Sequence, residues 1–265
     1  TRAMLITFSK YHGTGNDFVM VDNRSGGLNP TVDLVEKLCN RHFGIGADGL
    51  ILLENAKESA LMMRYFNSDG RESTMCGNGG RCFAHFAHQL GLAGQHVLFN
   101  GIDGFHEAYL LDNGNIRLRM IDVPVVESAE EGFFLNTGSP HFVVFVRSVE
   151  NVNVDLEGRL ASKSVNVKNG GTNVNFIQPV GEKVLKIRTY ERGVEAETLS
   201  CGTGSVASAI AYADFFAISE GPVELLAPGG TLRVYFSHEG DGYKNIWLEG
   251  AVSHVFNGSI EVNDL

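Results

Sequence analysis

The chain carries one short pattern twice. Met75-Cys76-Gly77-Asn78-Gly79-Gly80 in the first half is matched in the second by Ser200-Cys201-Gly202-Thr203-Gly204-Ser205. A helix-like run follows each copy, Arg81-Cys82-Phe83-Ala84-His85-Phe86-Ala87 after the first and Val206-Ala207-Ser208-Ala209-Ile210-Ala211 after the second. A cysteine at the mouth of a Gly-rich turn that opens into a helix lies where unpaired backbone N–H groups and roughly half a positive charge gather, which attracts anions and favours thiolate over thiol. One such thiol in each half points to two pseudo-symmetric domains. Two thiols acting on one carbon from opposite sides point to stereochemical inversion, one taking a proton and the other returning one.

The pattern along the chain supports α+β rather than doubly wound α/β, because strictly alternating βα units are absent. Strand-like runs at Leu5–Ser9, Phe18–Asp22, Leu50–Glu54 and Met62–Phe66 are separated by Gly, Asn and Asp. Tyr109–Leu111 and Ile116–Met120 around Asp112-Asn113-Gly114-Asn115 read as a hairpin. Thr31–Arg41 has Val32, Val35 and Leu38 at helical spacing behind a Thr31 N-cap, and the helix after Cys76 is expected to end near Leu90, before Gly91. The second half repeats the order, with strands at Phe142–Val146, Val174–Pro179, Val184–Tyr190, Leu232–Phe236 and Ile246–Glu249 and a helix over about Thr203–Ala217. The domains are expected at 1–122 and 123–265, each a mostly antiparallel sheet wrapped around a central helix, with the active site in the cleft between them. The last strand is a candidate to return to the first domain.

Composition narrows the partners. A formal net charge of −10 disfavours nucleic acid and anionic membranes, which need clustered Lys and Arg. No apolar run approaches the roughly 20 residues that span a bilayer. The start shows no secretory h-region, and Met4 is read as the natural first residue. Four cysteines in 265 residues make no disulfide framework, so a reducing cytoplasm is expected. Cys39 and Cys82 lie inside helical patterns and read as core residues.

Five ordered blocks carry a resemblance. Lys10-Tyr11-His12-Gly13-Thr14-Gly15-Asn16-Asp17-Phe18, Arg41-His42-Phe43-Gly44-Ile45-Gly46-Ala47-Asp48-Gly49, Phe66-Asn67-Ser68-Asp69-Gly70, Cys76-Gly77-Asn78-Gly79, and Glu191-Arg192-Gly193 followed by Cys201-Gly202-Thr203-Gly204 resemble diaminopimelate epimerase over nearly the whole chain. The resemblance implies a cofactor-independent epimerase of lysine and peptidoglycan-precursor synthesis. Such an enzyme interconverts LL- and meso-2,6-diaminopimelate in the cytoplasm as a homodimer, with a fold of two similar α+β domains. It binds no metal and has no nucleic-acid or membrane partner.

The same resemblance assigns residues. Cys76 and Cys201 are the paired bases, and His141 and Glu191 assist deprotonation. The turns after the cysteines offer the N–H groups of Gly77, Asn78, Gly202 and Thr203 to the substrate carboxylate. Asn16, Asn67, Asn173, Glu191 and Arg192 recognise the distal ammonium and carboxylate, with Arg192 the natural bidentate partner of the latter. The family often has Asn where Ser139 stands, and some members have Gln where Gly49 stands, so no contact is carried over to either. If both thiols face one carbon, oxidation is expected to join Cys76 and Cys201 reversibly.

Other readings compete. Cys76, Cys82, His85 and His88 form a run whose spacing fits no common zinc motif. Gly202-Thr203-Gly204-Ser205-Val206-Ala207 fits a dinucleotide fingerprint but lacks the strand that should lead straight into it. A two-cysteine racemase of proline or histidine would share the Cys-Gly-x-Gly pair but would not need Arg192 and the asparagines. A binding or redox-sensing protein could use the same thiols without exchanging an α-proton.

Overall fold

A computed structural model describes residues 4–56, 60–165, 168 and 170–262. The chain forms two compact units, Thr1–Leu118 with Val252–Leu265, and Arg119–Ala251.

The first unit contains β1 (Met4–Gly13), β2 (Asn16–Asp22), α1 (Val32–Cys39), β3 (Gly49–Asn55), β4 (Leu61–Asn67), β5 (Glu72–Ser73), α2 (Gly77–Gln89), β6 (His96–Gly101), β7 (Gly104–Leu110) and β8 (Ile116–Arg119). The second contains β9 (Glu127–Ala129), β10 (Gly132–Asn136), β11 (Pro140–Phe145), α3 (Val154–Ser164), β12 (Asn173–Gly181), β13 (Val184–Glu191), β14 (Ala196–Thr198), α4 (Gly202–Phe215), β15 (Val223–Ala227), β16 (Gly230–Glu239) and β17 (Gly242–Gly250). The last strand, β18 (Ser253–Val262), pairs antiparallel with β1 and so belongs to the first unit.

The pairing scheme is the same in both units. In the first, β18, β1 and β2 run antiparallel, β2 and β3 parallel, and β3 and β4 antiparallel. β4 then carries β5 antiparallel and β6 parallel, followed by the β6–β7–β8 meander. Strands β9 to β17 repeat every step in the same order, with β11–β12 and β13–β15 as the parallel pairs.

Each sheet packs on two layers. Val19 and Val21 of β2 and Leu50 and Leu52 of β3 face Leu34, Val35 and Leu38 of α1. Their alternates, Phe18, Met20, Ile51 and Leu53, are fully buried too, as a parallel pair covered on both faces requires. The central helix α2 is buried on all sides except at His85, His88 and Gln89, and α4 except at Thr203, Asp214 and Phe215. A helix buried all round needs small or apolar residues everywhere. The Val206–Ala213 run of α4 supplies them.

Two local expectations are corrected and one helix is added. The Gly-rich segments after the two cysteines are themselves the first turns of α2 and α4. Thr31 caps α1 as expected, its Oγ1 accepting from Leu34 N at 3.3 Å, but Val32 is exposed and Leu34 takes its place in the core. Helix α3 was not read from the pattern because its apolar Leu156 and Leu160 face solvent while Gly158 and Ser162 are buried. A Cβ at Gly158 would lie 2.3 Å from the Tyr190 side chain, so the helix packs by its smallest residues.

Candidate active site

Both motif cysteines are N-caps. Cys76 has the extended backbone of a cap (φ −99°, ψ 151°), and its Sγ accepts from Gly79 N at 3.1 Å. Cys201 caps α4 with φ −129° and ψ 118°, but its sulfur makes no capping bond and lies 3.5 Å from Thr203 Oγ1. The glycine three residues on is required by close approach in each copy. A Cβ at Gly79 would meet Cys76 Sγ at 2.9 Å and Ile51 at 3.1 Å, and one at Gly204 would meet Asn175 Nδ2 at 2.4 Å. The first-turn amides, including those of Gly77, Asn78, Gly202 and Thr203, have no acceptor within their helices, so each cap is a site of positive potential. All four cysteines are free thiols.

In the first unit, the tight turn between β1 and β2 brings Thr14 and Asn16 to the start of α2. Asn78 Nδ2 donates to Asn16 Oδ1 at 3.1 Å, and Thr14 Oγ1 donates to Asn78 Oδ1 at 3.3 Å. Asn16 Nδ2 donates to Asp48 Oδ2 at 2.7 Å. Behind Asp48, Arg41 binds Asp17 through two nitrogens at 3.0 and 2.7 Å and reaches Asp48 at 3.0 Å. Lys10 pairs with Asp17 at 2.8 Å and donates to the Gly46 carbonyl. Burial alone would raise the Asp17 carboxyl, but bonds from Arg41 and Lys10 outweigh it and hold it well below the usual range. Asn67 ends β4 in register with Gly49, and its side chain makes no hydrogen bond to the described residues.

In the second unit, His141 is completely buried and bonded at both ring nitrogens, Nδ1 to Asn175 Oδ1 at 2.7 Å and Nε2 to Thr203 Oγ1 at 2.9 Å. Burial pushes the imidazole down to about 4, so it is neutral near pH 7. Asn175 uses its Nδ2 on Thr189 Oγ1 at 2.8 Å, which leaves its oxygen to accept from Nδ1–H. The unprotonated Nε2 then accepts from the Thr203 hydroxyl. Thr189, Asn175, His141, Thr203 and Cys201 thus form one connected line of hydrogen-bonding groups.

A second cluster lies alongside. Asn173 donates through Nδ2 to Ser139 Oγ at 2.8 Å and to the Pro140 carbonyl at 2.9 Å, and its Oδ1 accepts from Arg192 N at 2.8 Å. Arg192 Nη1 reaches the Gly171 carbonyl at 3.3 Å. Glu191, the last residue of β13, accepts from Thr198 Oγ1 at 2.9 Å. The geometry therefore joins Cys76, Asn78 and Asn16 in one unit, and Cys201, Thr203 and His141 in the other with Asn173 and Arg192 as a separate pair. Asn67 and Glu191 stand at the ends of β4 and β13.

Sequence reasoning missed Thr14, Asp48, Arg81, Asn175, Thr189 and Thr137, whose Oγ1 donates to the Thr203 carbonyl at 2.8 Å. Asn175 carried a readable signal, since two residues after Asn173 in a strand is the same face. Cys82 is fully buried and Cys39 nearly so, and burial pushes the Cys39 thiol up to about 12. His85 bonds Tyr11 OH at 3.1 Å, and His88 bonds the Ala93 carbonyl at 3.0 Å. No helix among the described residues is long and apolar enough to cross a membrane.

Comparison with known proteins follows the same lines. The family model of diaminopimelate epimerase matches residues 8–122 and 133–255. The chain is 45% identical over 252 residues to a diaminopimelate epimerase of Flavobacterium psychrophilum, covering 95% of this chain and 98% of that one. It is 41% identical over 273 residues to one of Aquifex aeolicus, covering 96% and 97%. Among solved structures, a phenazine biosynthesis protein of the PhzF family from Bacillus anthracis matches 98% of this chain with all of its own at a TM-score of 0.76. Its identity is 16%, so the likeness is one of fold.

Proposed function

The chain belongs to the diaminopimelate epimerase family and is an isomerase, and from that premise we propose that it interconverts LL- and meso-2,6-diaminopimelate by a two-base mechanism in which Cys76 and Cys201 alternate as thiolate and thiol. The observation that carries this reading is the duplicated cap. Two units with one pairing scheme each place a cysteine at the N-cap of the central helix.

The α-proton of an amino acid is very weakly acidic because its carbanion forms beside a carboxylate. Catalysis then needs oriented positive charge and two proton-transfer groups held in line with the Cα–H bond. One thiolate takes the proton as the other thiol delivers its own to the opposite face, so charge and protons balance and the two thiols exchange roles. The amides of Gly77, Asn78, Gly202 and Thr203 receive the α-carboxylate. His141, acting through Thr203, steadies the protonation of Cys201, and Glu191 receives the ammonium. Asn16, Asn67, Asn173 and Arg192 hold the distal end. The chain acts without a cofactor, as a cytoplasmic homodimer, in lysine and peptidoglycan-precursor synthesis.

The test is proton NMR of LL-diaminopimelate in D2O with catalytic protein, reductant and EDTA, and no added cofactor. Loss of the α-proton signal together with appearance of the meso isomer is expected. A folded, reduced protein that exchanges no α-proton would reject the substrate and bring the proline and histidine racemase readings forward.

A further inference from the structure

The first unit contains a cation that meets no carboxylate among the described residues. Arg81 is fully buried in α2, and burial lowers its guanidinium to about 10. Its donors go to uncharged groups: Nη1 to the Gly77 carbonyl at 3.2 Å, Nη2 to Asn78 Oδ1 at 3.1 Å and Thr14 Oγ1 at 3.3 Å, while Nε has no partner. Holding a buried guanidinium on neutral partners is unfavourable, and Gly77 and Asn78 are the residues directly after Cys76.

From Arg81 a line of bonds runs through Asn78 and Asn16 to Asp48, and its two ends fix its direction. A guanidinium only donates and a carboxylate only accepts. Asn78 must turn its oxygen to Arg81, which leaves Nδ2 to donate to Asn16 Oδ1 at 3.1 Å. Asn16 must turn Nδ2 to Asp48, at 2.7 Å. Reversing either amide would set donor against donor at Arg81 or acceptor against acceptor at Asp48. Asp48 is itself anchored, its Oδ2 also accepting from Asp17 N at 3.2 Å and its Oδ1 from Arg41 at 3.0 Å.

We propose that Arg81 and Asp48 are positioning residues that lock the Asn78 and Asn16 amides in this orientation, so that Asn16 keeps one Nδ2 hydrogen aimed to donate to a carboxylate of the substrate. The proposal rests on the reading above that Asn16 contacts substrate. Asn16 Nδ2 has two hydrogens. One is held by Asp48, and the second is the one offered. Charged ends also polarise the amides between them in the donating sense.

Steady-state epimerisation by Asp48→Asn, Asp48→Glu, Arg81→Lys and the Asp48→Asn/Arg81→Lys double variant tests it, alongside the side-chain amide spectrum of 15N-labelled protein without substrate. Asp48 is exposed enough for its substitutions to fold. Asp48→Asn is expected to raise KM about tenfold with kcat within about threefold, because a charge-assisted bond is lost and the amide is freed to turn. Asp48→Glu, which keeps an acceptor-only group, recovers most of the loss. Arg81→Lys raises KM in the same sense. Because both ends act on one line, the double variant is no worse than the poorer single within about threefold. In the wild type, one Asn16 Nδ2 hydrogen resonates downfield and exchanges slowly, and this is lost in Asp48→Asn. An Asn16 amide or a KM unchanged by Asp48→Asn, or losses that multiply in the double variant, overturns the positioning and leaves the reaction standing. Loss of the protected hydrogen in a variant whose parent leaves diaminopimelate untouched overturns the reaction and leaves the positioning standing.

Discussion

Phe18, Ile51 and Tyr65 of the first unit hold the strand positions that His141, Asn175 and Thr189 hold in the second, as the matching registers of β2–β3–β4 and β11–β12–β13 show. Under the Cys76 helix the trio is an isoleucine and two aromatic rings, Phe18 and Tyr65 packed edge to face at 5.8 Å. Under the Cys201 helix it is a hydrogen-bonded polar line ending at the sulfur's neighbour Thr203. The helices differ in the opposite sense. Five residues beyond the cysteine, α2 carries the buried Arg81 and α4 the buried Val206. One backbone frame thus presents two chemically similar caps with different support, fixed cationic charge for Cys76 and a neutral imidazole for Cys201. Two sulfurs that must alternate between thiol and thiolate need not be tuned by the same means.

Removing either sulfur breaks this comparison most severely. Cys76→Ala and Cys201→Ala should each lower epimerisation by about 10⁴-fold, the upper end of what positioned acid–base groups contribute. The α-proton exchange assay reads both, and substantial turnover by either single variant would end the two-base reading. The next largest effect comes from making the units alike. His141→Phe, which gives the second unit the residue of the first, should cost about 10²-fold in kcat and flatten the acid side of the stability profile. The sign follows from the ring's lowered affinity for protons. Between pH 6.5 and about 4 the unfolded chain binds a proton that the native His141 does not. Stability is therefore complete above 6.5 and falls as pH drops through that window, by about 3 kcal/mol in all. His85, also lowered by burial, keeps part of the slope in the variant. Thermal midpoints from pH 7 to 4 would show it, and parallel profiles for variant and wild type would reject His141 as the source. The smallest effect concerns the residue after each β13 or β4 strand end, Arg192 in one unit and Ser68 in the other. Arg192→Ala should raise KM for diaminopimelate about tenfold, as loss of a charged hydrogen-bonding partner does, with little change in kcat. An unaltered KM would remove Arg192 from the distal carboxylate.

The duplicated caps were legible because Cys followed by Gly-x-Gly is a rare residue pattern with one strong physical use, and the helices after them followed from their small and apolar residues. The family blocks were legible for a similar reason. The short strands β5, β9 and β14 were not, since two or three residues carry no periodicity. Helix α3 hid because its buried face is built from Val154, Gly158 and Ser162 instead of leucines. The correspondence of Phe18 with His141 could not be read at all. Residues of opposite polarity share a position only when register is known, and register is set by pairings distant in sequence. Arg81 stood inside the quoted motif run, but an arginine in a sequence reads as surface, and only its burial marks it.

The placement of β18 has a consequence for how the chain is made. It is synthesised after the whole of the second unit, yet it supplies the long partner of β1, a strand made before that unit, in a register running from Met4–Val262 to His12–Ser253. Arg119–Ala251 is continuous and can complete its own pairings as it emerges, whereas the unit begun first is the one finished last. On the ribosome β1 must wait with its outer row of backbone groups unpaired and Phe8 uncovered by Phe256, a template for the strands of other nascent chains until β18 arrives.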